Sequence, residues 1–234
     1  MSNNATNWVV IPAAGIGTRM QANKPKQYLS LHGKTVLEHT LAIFLEHPQI
    51  AGVVVAISSS DEYWADLKLT HPKLAVCQGG RERADSVLNG LNYLHEHLQV
   101  DKNAWVLVHD AARPCLSRTD LDKLLASQTQ AAEQGALLAM PVRDTMKRAQ
   151  PDSQQVAFTE NREGLWHALT PQMAKWALLQ SALTDALKQE AVITDEASAL
   201  EWIGLNPLLI EGDARNIKIT RPADLALAAF FLQA

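Results

Sequence analysis

Hydrophobic and polar positions along this chain fall into two alternating patterns. Dense apolar runs, rich in β-branched residues, occur at residues 8–12 (Trp-Val-Val-Ile-Pro), 52–57, 104–109 and 136–141. A short continuous apolar run between polar turns reads as a strand covered on both faces. Between these runs the spacing becomes helical. Val36, Leu37, Leu41, Phe44 and Leu45 form one stripe that stops before Pro48, and Val87, Leu91, Leu94 and Leu98 form a second. Ser117-Arg118-Thr119-Asp120 reads as a capping box ahead of Leu121, Leu124 and Leu125. Strands alternating with helices predict an α/β fold, with a mostly parallel central sheet and helices on both faces.

The alternation breaks between Val142 and Leu165, where the chain turns polar around Pro151-Asp152-Ser153. Short β-like pieces flank that turn, so residues 142–164 are expected to form a protruding β-arm and not a second core. Helical patterns return at 175–190 and 195–203. A strand follows at 208–210, and a last helix opens at Pro222, a residue favoured in a first helical turn. The expectation is one domain over residues 1–234 with an inserted arm.

Composition narrows the function classes. Of 234 residues, 47% are hydrophobic and 20% charged, enough apolar material for a sizeable core. A net charge of −4 disfavours a nucleic-acid coat, although a local basic cluster can still hold a small anion. The 2 cysteines, Cys77 and Cys115, are too few for a disulfide framework or a Cys-based zinc site, and they fit a reducing, cytoplasmic setting. The first seven residues carry no Lys or Arg, unlike a signal peptide. The longest apolar run, 225–232, is too short to span a bilayer. No nucleic-acid or membrane partner is expected.

The candidate chemistry begins after the first strand, at Ala13-Ala14-Gly15-Ile16-Gly17-Thr18-Arg19-Met20. Small residues and two glycines let backbone N–H groups close around a phosphate. A dinucleotide fingerprint would need a third glycine where Met20 stands, and a P-loop ending at Gly33-Lys34-Thr35 would need glycine where Tyr28 stands. On glycines alone, a tight strand–helix turn without a ligand fits equally well. The cations shift that balance. Arg19 and the Lys24-Pro25-Lys26-Gln27-Tyr28 segment put mobile positive charge beside the turn, which suits a triphosphate under attack.

An ordered set of motifs is more specific still. The chain carries Pro12-Ala13-Ala14-Gly15-x-Gly17-x-Arg19-Met20, Pro25-Lys26-Gln27-Tyr28 and Gly79-Gly80-x-x-Arg83-x-x-Ser86-Val87. It continues with His109-Asp110-Ala111-Ala112-Arg113-Pro114, Pro141-Val142-Arg143-Asp144-Thr145 and Gly164-Leu165-Trp166-x-x-x-Thr170-Pro171-Gln172. Thr194-Asp195-Glu196-Ala197-Ser198 and Asn216-Ile217-Lys218-Ile219-Thr220 complete the set. In this order the motifs resemble the 2-C-methyl-D-erythritol 4-phosphate cytidylyltransferase family over nearly the whole chain. The resemblance implies a Rossmann-like nucleotidyltransferase that joins methylerythritol phosphate to CMP from CTP, with release of pyrophosphate, in the non-mevalonate isoprenoid route. It also implies a divalent cation, Mg²⁺, and a homodimer formed through the arm. Close relatives that use ribitol 5-phosphate, and a CTP-binding regulator that has lost catalysis, are the competing readings. A pure sensor has no need of the transition-state cations.

The resemblance also assigns residues. Arg19 and Lys26 match the cations that stabilise the charged phosphorus centre. Arg162 and Lys218 match the pair that positions the substrate phosphate, giving Arg19, Lys26, Arg162 and Lys218 as the catalytic set. Pro12, Ala13, Ala14, Gly15, Gly17, Gly80, Ser86, Asp110 and Ala111 join Arg19 and Lys26 in holding CTP. Asp110 ends a strong strand, where a carboxylate could cap the next turn or hold the metal; the resemblance favours the metal. Asp110, Arg113, Thr145, Arg162, Thr170, Thr194 and Lys218 fall at positions that meet the methylerythritol phosphate, although Thr194 also fits a helix cap and Ser86 another. Within the dimer, Thr145 and Arg162 would serve the partner's site. His109 reads as a packed strand residue, and Cys115 as a small packing residue. The chain departs from the family pattern at Glu160-Asn161, just before Arg162, and at Arg81, where an acidic residue is common.

Overall fold

The computed structural model describes residues 7–15 and 24–233. Strand β1 (Asn7–Pro12) leads into the glycine turn. A two-residue hairpin, β2 (Ser30–Leu31) and β3 (Lys34–Thr35), then turns the chain into α1 (Val36–Leu45). Thr35 caps that helix, accepting from the Glu38 N–H while the Glu38 carboxylate takes the Thr35 N–H. Next come β4 (Ile50–Ile57), β5 (Leu74–Gln78), α2 (Arg83–Glu96), β6 (Trp105–Val108) and α3 (Arg118–Ala126). The second half runs β7 (Ala136–Pro141), β8 (Lys147–Ala149), β9 (Val156–Thr159), β10 (Trp166–Lys175), α4 (Trp176–Lys188), α5 (Glu196–Trp202), β11 (Leu208–Glu211) and α6 (Pro222–Phe231).

Seven strands form the central sheet in the order β11-β7-β10-β6-β1-β4-β5. β1 pairs parallel to β4 and β6, β4 to β5, and β11 to β7. β10 runs antiparallel between β6 and β7. The sheet is therefore mostly parallel, as the alternation predicts. Period-2 alternation sends the side chains of one strand to opposite faces. Val9 and Ile11 of β1 join α1 and α3 residues such as Phe44 and Leu124 on one side, while Val10 joins Leu91 of α2 and Leu183 of α4 on the other. A third cluster seats α6 through Ala228 against Leu31, Val36 and Ile219.

Two strands of the central sheet differ from the sequence reading, which also gives no hairpin at β2 and β3. β5 is an edge strand of half-buried residues, and its short apolar run Leu74-Ala75-Val76-Cys77 falls outside the strands read from sequence. β10 occupies a stretch to which the sequence reading assigns no element, between the arm ending at 164 and the helical pattern starting at 175. Its central residues Thr170 and Gln172 are polar yet buried, because hydrogen bonds satisfy them. The arm itself is observed. β8 and β9 form a separate two-stranded sheet, and Val156 and Phe158 are 56% and 54% exposed. The predicted cap at Ser117 accepts from the Asp120 N–H. Asp120, however, does not complete a capping box, since its carboxylate takes Lys123 and the Asp213 N–H instead. Among the described residues no helix is long and apolar enough to cross a membrane.

Helix α2 lies close on β1 at Gly90, where an added Cβ would stand 2.5 Å from Val10 Cγ1. Gly90→Val is expected to overpack this contact and cost about 1–3 kcal/mol. Urea unfolding should show a lower midpoint at an unchanged slope.

Candidate functional site

The strand order reverses between β1 and β6: the chain lays β4 and β5 on one side of β1, then returns to place β6 on the other. Such a switch point opens a crevice beyond the strands' carboxyl ends. A cavity of about 320 Å³ lies there. The turn after β1 supplies Pro12, Ala13, Ala14 and Gly15, the turn after β5 supplies Gly80 to Arg83, and the turn after β6 supplies Asp110 to Ala112. Lys26, Gln27, Ser86 and Lys218 close it. Ten residues expected from sequence thus converge: Pro12, Ala13, Ala14, Gly15, Lys26, Gly80, Ser86, Asp110, Ala111 and Lys218. Gly17 and Arg19 lie outside the described residues.

Local hydrogen bonds shape each wall. Gln27 is buried, and its Nε2 donates to the Ala13 carbonyl at 2.8 Å and the Gly15 carbonyl at 3.1 Å, stapling the glycine turn from below. Gly80 N–H donates to Ser86 Oγ at 3.0 Å, and the Ser86 hydroxyl donates back to the Glu82 carbonyl at 3.1 Å. The cap of α2 is Glu82, so Ser86 sits inside the helix, where it holds the glycine turn against it. Only glycine fits at position 80, since a Cβ there would stand 2.2 Å from Asp85 Cβ. Lys26 Nζ donates to the Ile219 carbonyl at 2.9 Å, and Ile219 N–H donates to the Ala112 carbonyl at 2.9 Å. The late Asn216–Lys218 segment is thereby laid along the turn after β6.

Asp110 is the electrostatic centre. Its Oδ1 accepts from Arg83 Nε at 3.1 Å, and its Oδ2 faces Arg113 Nε at 3.2 Å and Lys218 Nζ at 2.9 Å. Burial opposes ionisation, but the Arg83, Lys218 and Arg113 charges outweigh it and hold the carboxyl far below the ordinary range. Arg83 is gripped from behind by the buried Glu196, at 2.7 and 3.1 Å in a two-toothed pair. Burial works against the Arg83 charge, yet Glu196 and Asp110 more than compensate and raise its pKa. Lys26, Arg81, Arg83 and Lys218 line the cavity against the carboxylates of Glu82 and Asp110, with Arg113 and Glu196 buried behind them, leaving a surplus of positive charge suited to a polyanion.

The remaining expected residues lie elsewhere. Arg113 and Thr170 are buried beneath the turn after β6. Thr145 and Arg162 are exposed on the arm, where Arg162 donates to the Arg143 carbonyl. Thr194 is exposed one residue before the cap of α5. That cap is Asp195, whose side chain accepts from Ser198 N–H, so the cap reading moves by one position. Thr145, Arg162 and Thr194 do not line the cavity of their own chain. His109 is a packed residue as expected: its ring stacks edge-on against Phe44, and burial lowers its pKa to about 4, so it is neutral. Cys115 is half-buried with its thiol pushed up to about 11 by burial, which fits packing and not nucleophilic chemistry. Sequence reasoning gave no role to Gln27, Arg83 or Glu196. All three stand inside motifs, but the Arg83–Glu196 pair spans 113 positions, and only the fold closes it.

Comparison with known proteins agrees with this geometry. The family model described as "IspD: 2-C-methyl-D-erythritol 4-phosphate cytidylyltransferase" matches residues 8–234. A protein of that name from Vibrio parahaemolyticus is 55% identical over 234 residues, covering 99% of this chain and 98% of its own. One from Haemophilus influenzae is 54% identical, covering 95% of each chain. A crystal structure of 4-diphosphocytidyl-2C-methyl-D-erythritol synthase superposes with a TM-score of 0.84 at 42% identity, over 97% of this chain and 98% of that one. The Francisella tularensis cytidylyltransferase superposes with a TM-score of 0.83 at 38% identity, over 96% of this chain and 99% of that one. The chain therefore belongs to the 2-C-methyl-D-erythritol 4-phosphate cytidylyltransferase family.

Proposed function

We propose that this protein transfers CMP from CTP to 2-C-methyl-D-erythritol 4-phosphate. The observation that carries this reading is the cationic cavity at the switch point, with one ionised carboxylate on its floor. A phosphate oxygen of the substrate attacks the α-phosphorus of CTP in line. The bond from that phosphorus to the bridging oxygen of the β-phosphate breaks, and pyrophosphate leaves with the electron pair. The attacking phosphate is already ionised near neutral pH, its second pKa being about 6. No general base is needed, and the main task is neutralising and aligning anions.

The described residues suit that task. Ala13, Ala14, Gly15 and the Gly80 turn offer backbone to the nucleotide, and Ser86 fixes the Gly80 turn. Lys26, with Arg19 by resemblance, neutralises charge that grows at the phosphorus. Lys218 holds the incoming phosphate, sharing it with Arg162, while Arg113, buried against Asp110 and the Asn216 carbonyl, holds the loop. Asp110 is one carboxylate beside the place for phosphates, a donor set that fits Mg²⁺, which takes one or two carboxylates together with substrate oxygens. Mg²⁺ bound there would draw charge from the phosphate oxygens.

The arm completes the reading. A lone two-stranded hairpin is marginal in water, and this one exposes Val156 and Phe158. We infer a homodimer through residues 142–164, in which Thr145 and Arg162 reach the partner's cavity. The protein is read as one domain bearing this arm, working in the cytoplasm.

Pyrophosphate release is expected with CTP, Mg²⁺ and methylerythritol phosphate, and not when UTP or ribitol 5-phosphate replaces its counterpart. Release with ribitol 5-phosphate would reassign the substrate, and no release with either alcohol phosphate would sink the enzyme reading. Lys26→Ala should lower kcat by about 10²–10³-fold, the usual cost of one charge-stabilising donor, with a smaller change in KM for CTP. Phe158→Glu should shift sedimentation toward monomer and reduce turnover together. A monomer of full activity would refute the shared site.

A further inference from the structure

Beneath Asp110 the described residues close a circuit of hydrogen bonds that the reaction itself does not use. His109, Arg113, Thr170 and Asn216 are 0%, 8%, 4% and 1% exposed. His109 Nε2 lies 3.0 Å from the Arg113 carbonyl and His109 Nδ1 lies 2.9 Å from Thr170 Oγ1. Arg113 Nη1 donates to the Asn216 carbonyl at 2.6 Å, and Asn216 Nδ2 donates to the Thr170 carbonyl at 2.8 Å. The four residues come from the turn after β6, from β10 and from the segment before α6, and they form one ring.

The chemistry of the partners fixes the direction of every bond. A carbonyl only accepts, so the nitrogen facing Arg113 carries the imidazole proton. Neither ring nitrogen faces a carboxylate, so nothing in the geometry calls for a second proton. Nδ1 is then a bare acceptor, and the single hydroxyl proton of Thr170 goes to it. A lone pair of Thr170 Oγ1 is left to accept the Asp110 N–H, 3.1 Å away. Two more anchors of Asp110 belong to the same ring, beside the Arg83 and Lys218 contacts that lie outside it: Arg113 Nε reaches its Oδ2, and Arg113 N–H its backbone carbonyl at 3.1 Å. Pairing between β10 and β7 shifts register between Ala168 and Gln172, the irregularity that carries Thr170. Such irregularities re-aim side chains beside functional sites.

We infer that His109 is a positioning residue: as the Nε2-protonated tautomer it closes this ring, and the ring holds Asp110 toward the cavity with the hydroxyl proton of Thr170 committed inward. Thr170 is therefore a frame for Asp110 before it is a contact for substrate hydroxyls. The inference deepens the proposed function and rests on it for the meaning of Asp110, although the ring itself can be tested without substrate.

The test uses the full chain, labelled with ¹⁵N-histidine and free of metal, with His109 identified by the signals lost in His109→Gln. The expected spectrum has a protonated Nε2 and a bare Nδ1, and Thr170→Val moves the Nδ1 signal further toward that of an unbonded lone pair. In parallel, Thr170→Val should raise the Mg²⁺ requirement or lower kcat by about 10–100-fold, the usual effect of removing support for a ligand, while KM for CTP at saturating metal changes less. Thr170→Ser, which keeps the hydroxyl, should recover most of that loss. A proton on Nδ1 would overturn the inference. So would a folded Thr170→Val protein with wild-type kcat and Mg²⁺ requirement. If Thr170→Val does not fold, the wild-type tautomer and the kinetics of Thr170→Ser decide. A wild-type protein with no turnover but the expected tautomer would remove the proposed function and leave the ring standing.

Discussion

Asp110 is buried, and a carboxylate taken out of water loses several kilocalories of hydration unless other charges replace it. Here Arg83, Arg113 and Lys218 replace it, each from a different stretch of chain. Arg83 opens α2, Arg113 stands in the turn after β6, and Lys218 precedes α6. One ionised oxygen pair thus draws together three segments that the sheet alone would leave independent. Its cost in hydration is also its specificity: remove any one cation and the burial of Asp110 is less well compensated.

The same arrangement explains a net negative protein with a positive cavity. The chain's charge is −4 overall, yet the cavity lining sets Lys26, Arg81, Arg83 and Lys218 against Glu82 and Asp110, with Glu196 behind Arg83. The carboxylates do not cancel the cations so much as aim them. Glu196 takes two guanidinium hydrogens of Arg83 and leaves Nε for Asp110. Cations held in fixed directions before an anion arrives need little reorganisation when charge moves through the site.

Much of this was legible in sequence, and the failures have physical reasons. Apolar runs identified β1, β4, β6 and β7 because strands buried on both faces need apolar side chains throughout. β10 escaped because its interior carries Thr170 and Gln172, polar residues whose burial makes sense only with His109 and Asp195 opposite them. β5 escaped although Leu74 to Cys77 are apolar, because the run is only a few residues long. Cavity residues on the three turns were readable as motifs, since each turn needs glycine or a small residue locally. Gln27, Arg83 and Glu196 stood in those motifs without a role, because what they touch lies 12 to 113 positions away. Thr145, Arg162 and Thr194 matched motifs too, but they do not line the cavity of their own chain.

The antiparallel strand β10 has a consequence for how the molecule comes to be. It alone joins the parallel group β5-β4-β1-β6 to the pair β7-β11. When residues 7–141 have left the ribosome, β6 has β1 on one side and an open edge on the other, and β7 has neither of its neighbours. The sheet stays open until the arm has been made and residues 166–175 return to zip between them, a pairing of high sequence separation that slows folding. That same strand brings Thr170 under Asp110. A half-folded chain can therefore display a glycine turn and loose cations, but not a seated carboxylate. Competence for chemistry therefore waits on β10, whose return both joins the two parts of the sheet and seats Asp110.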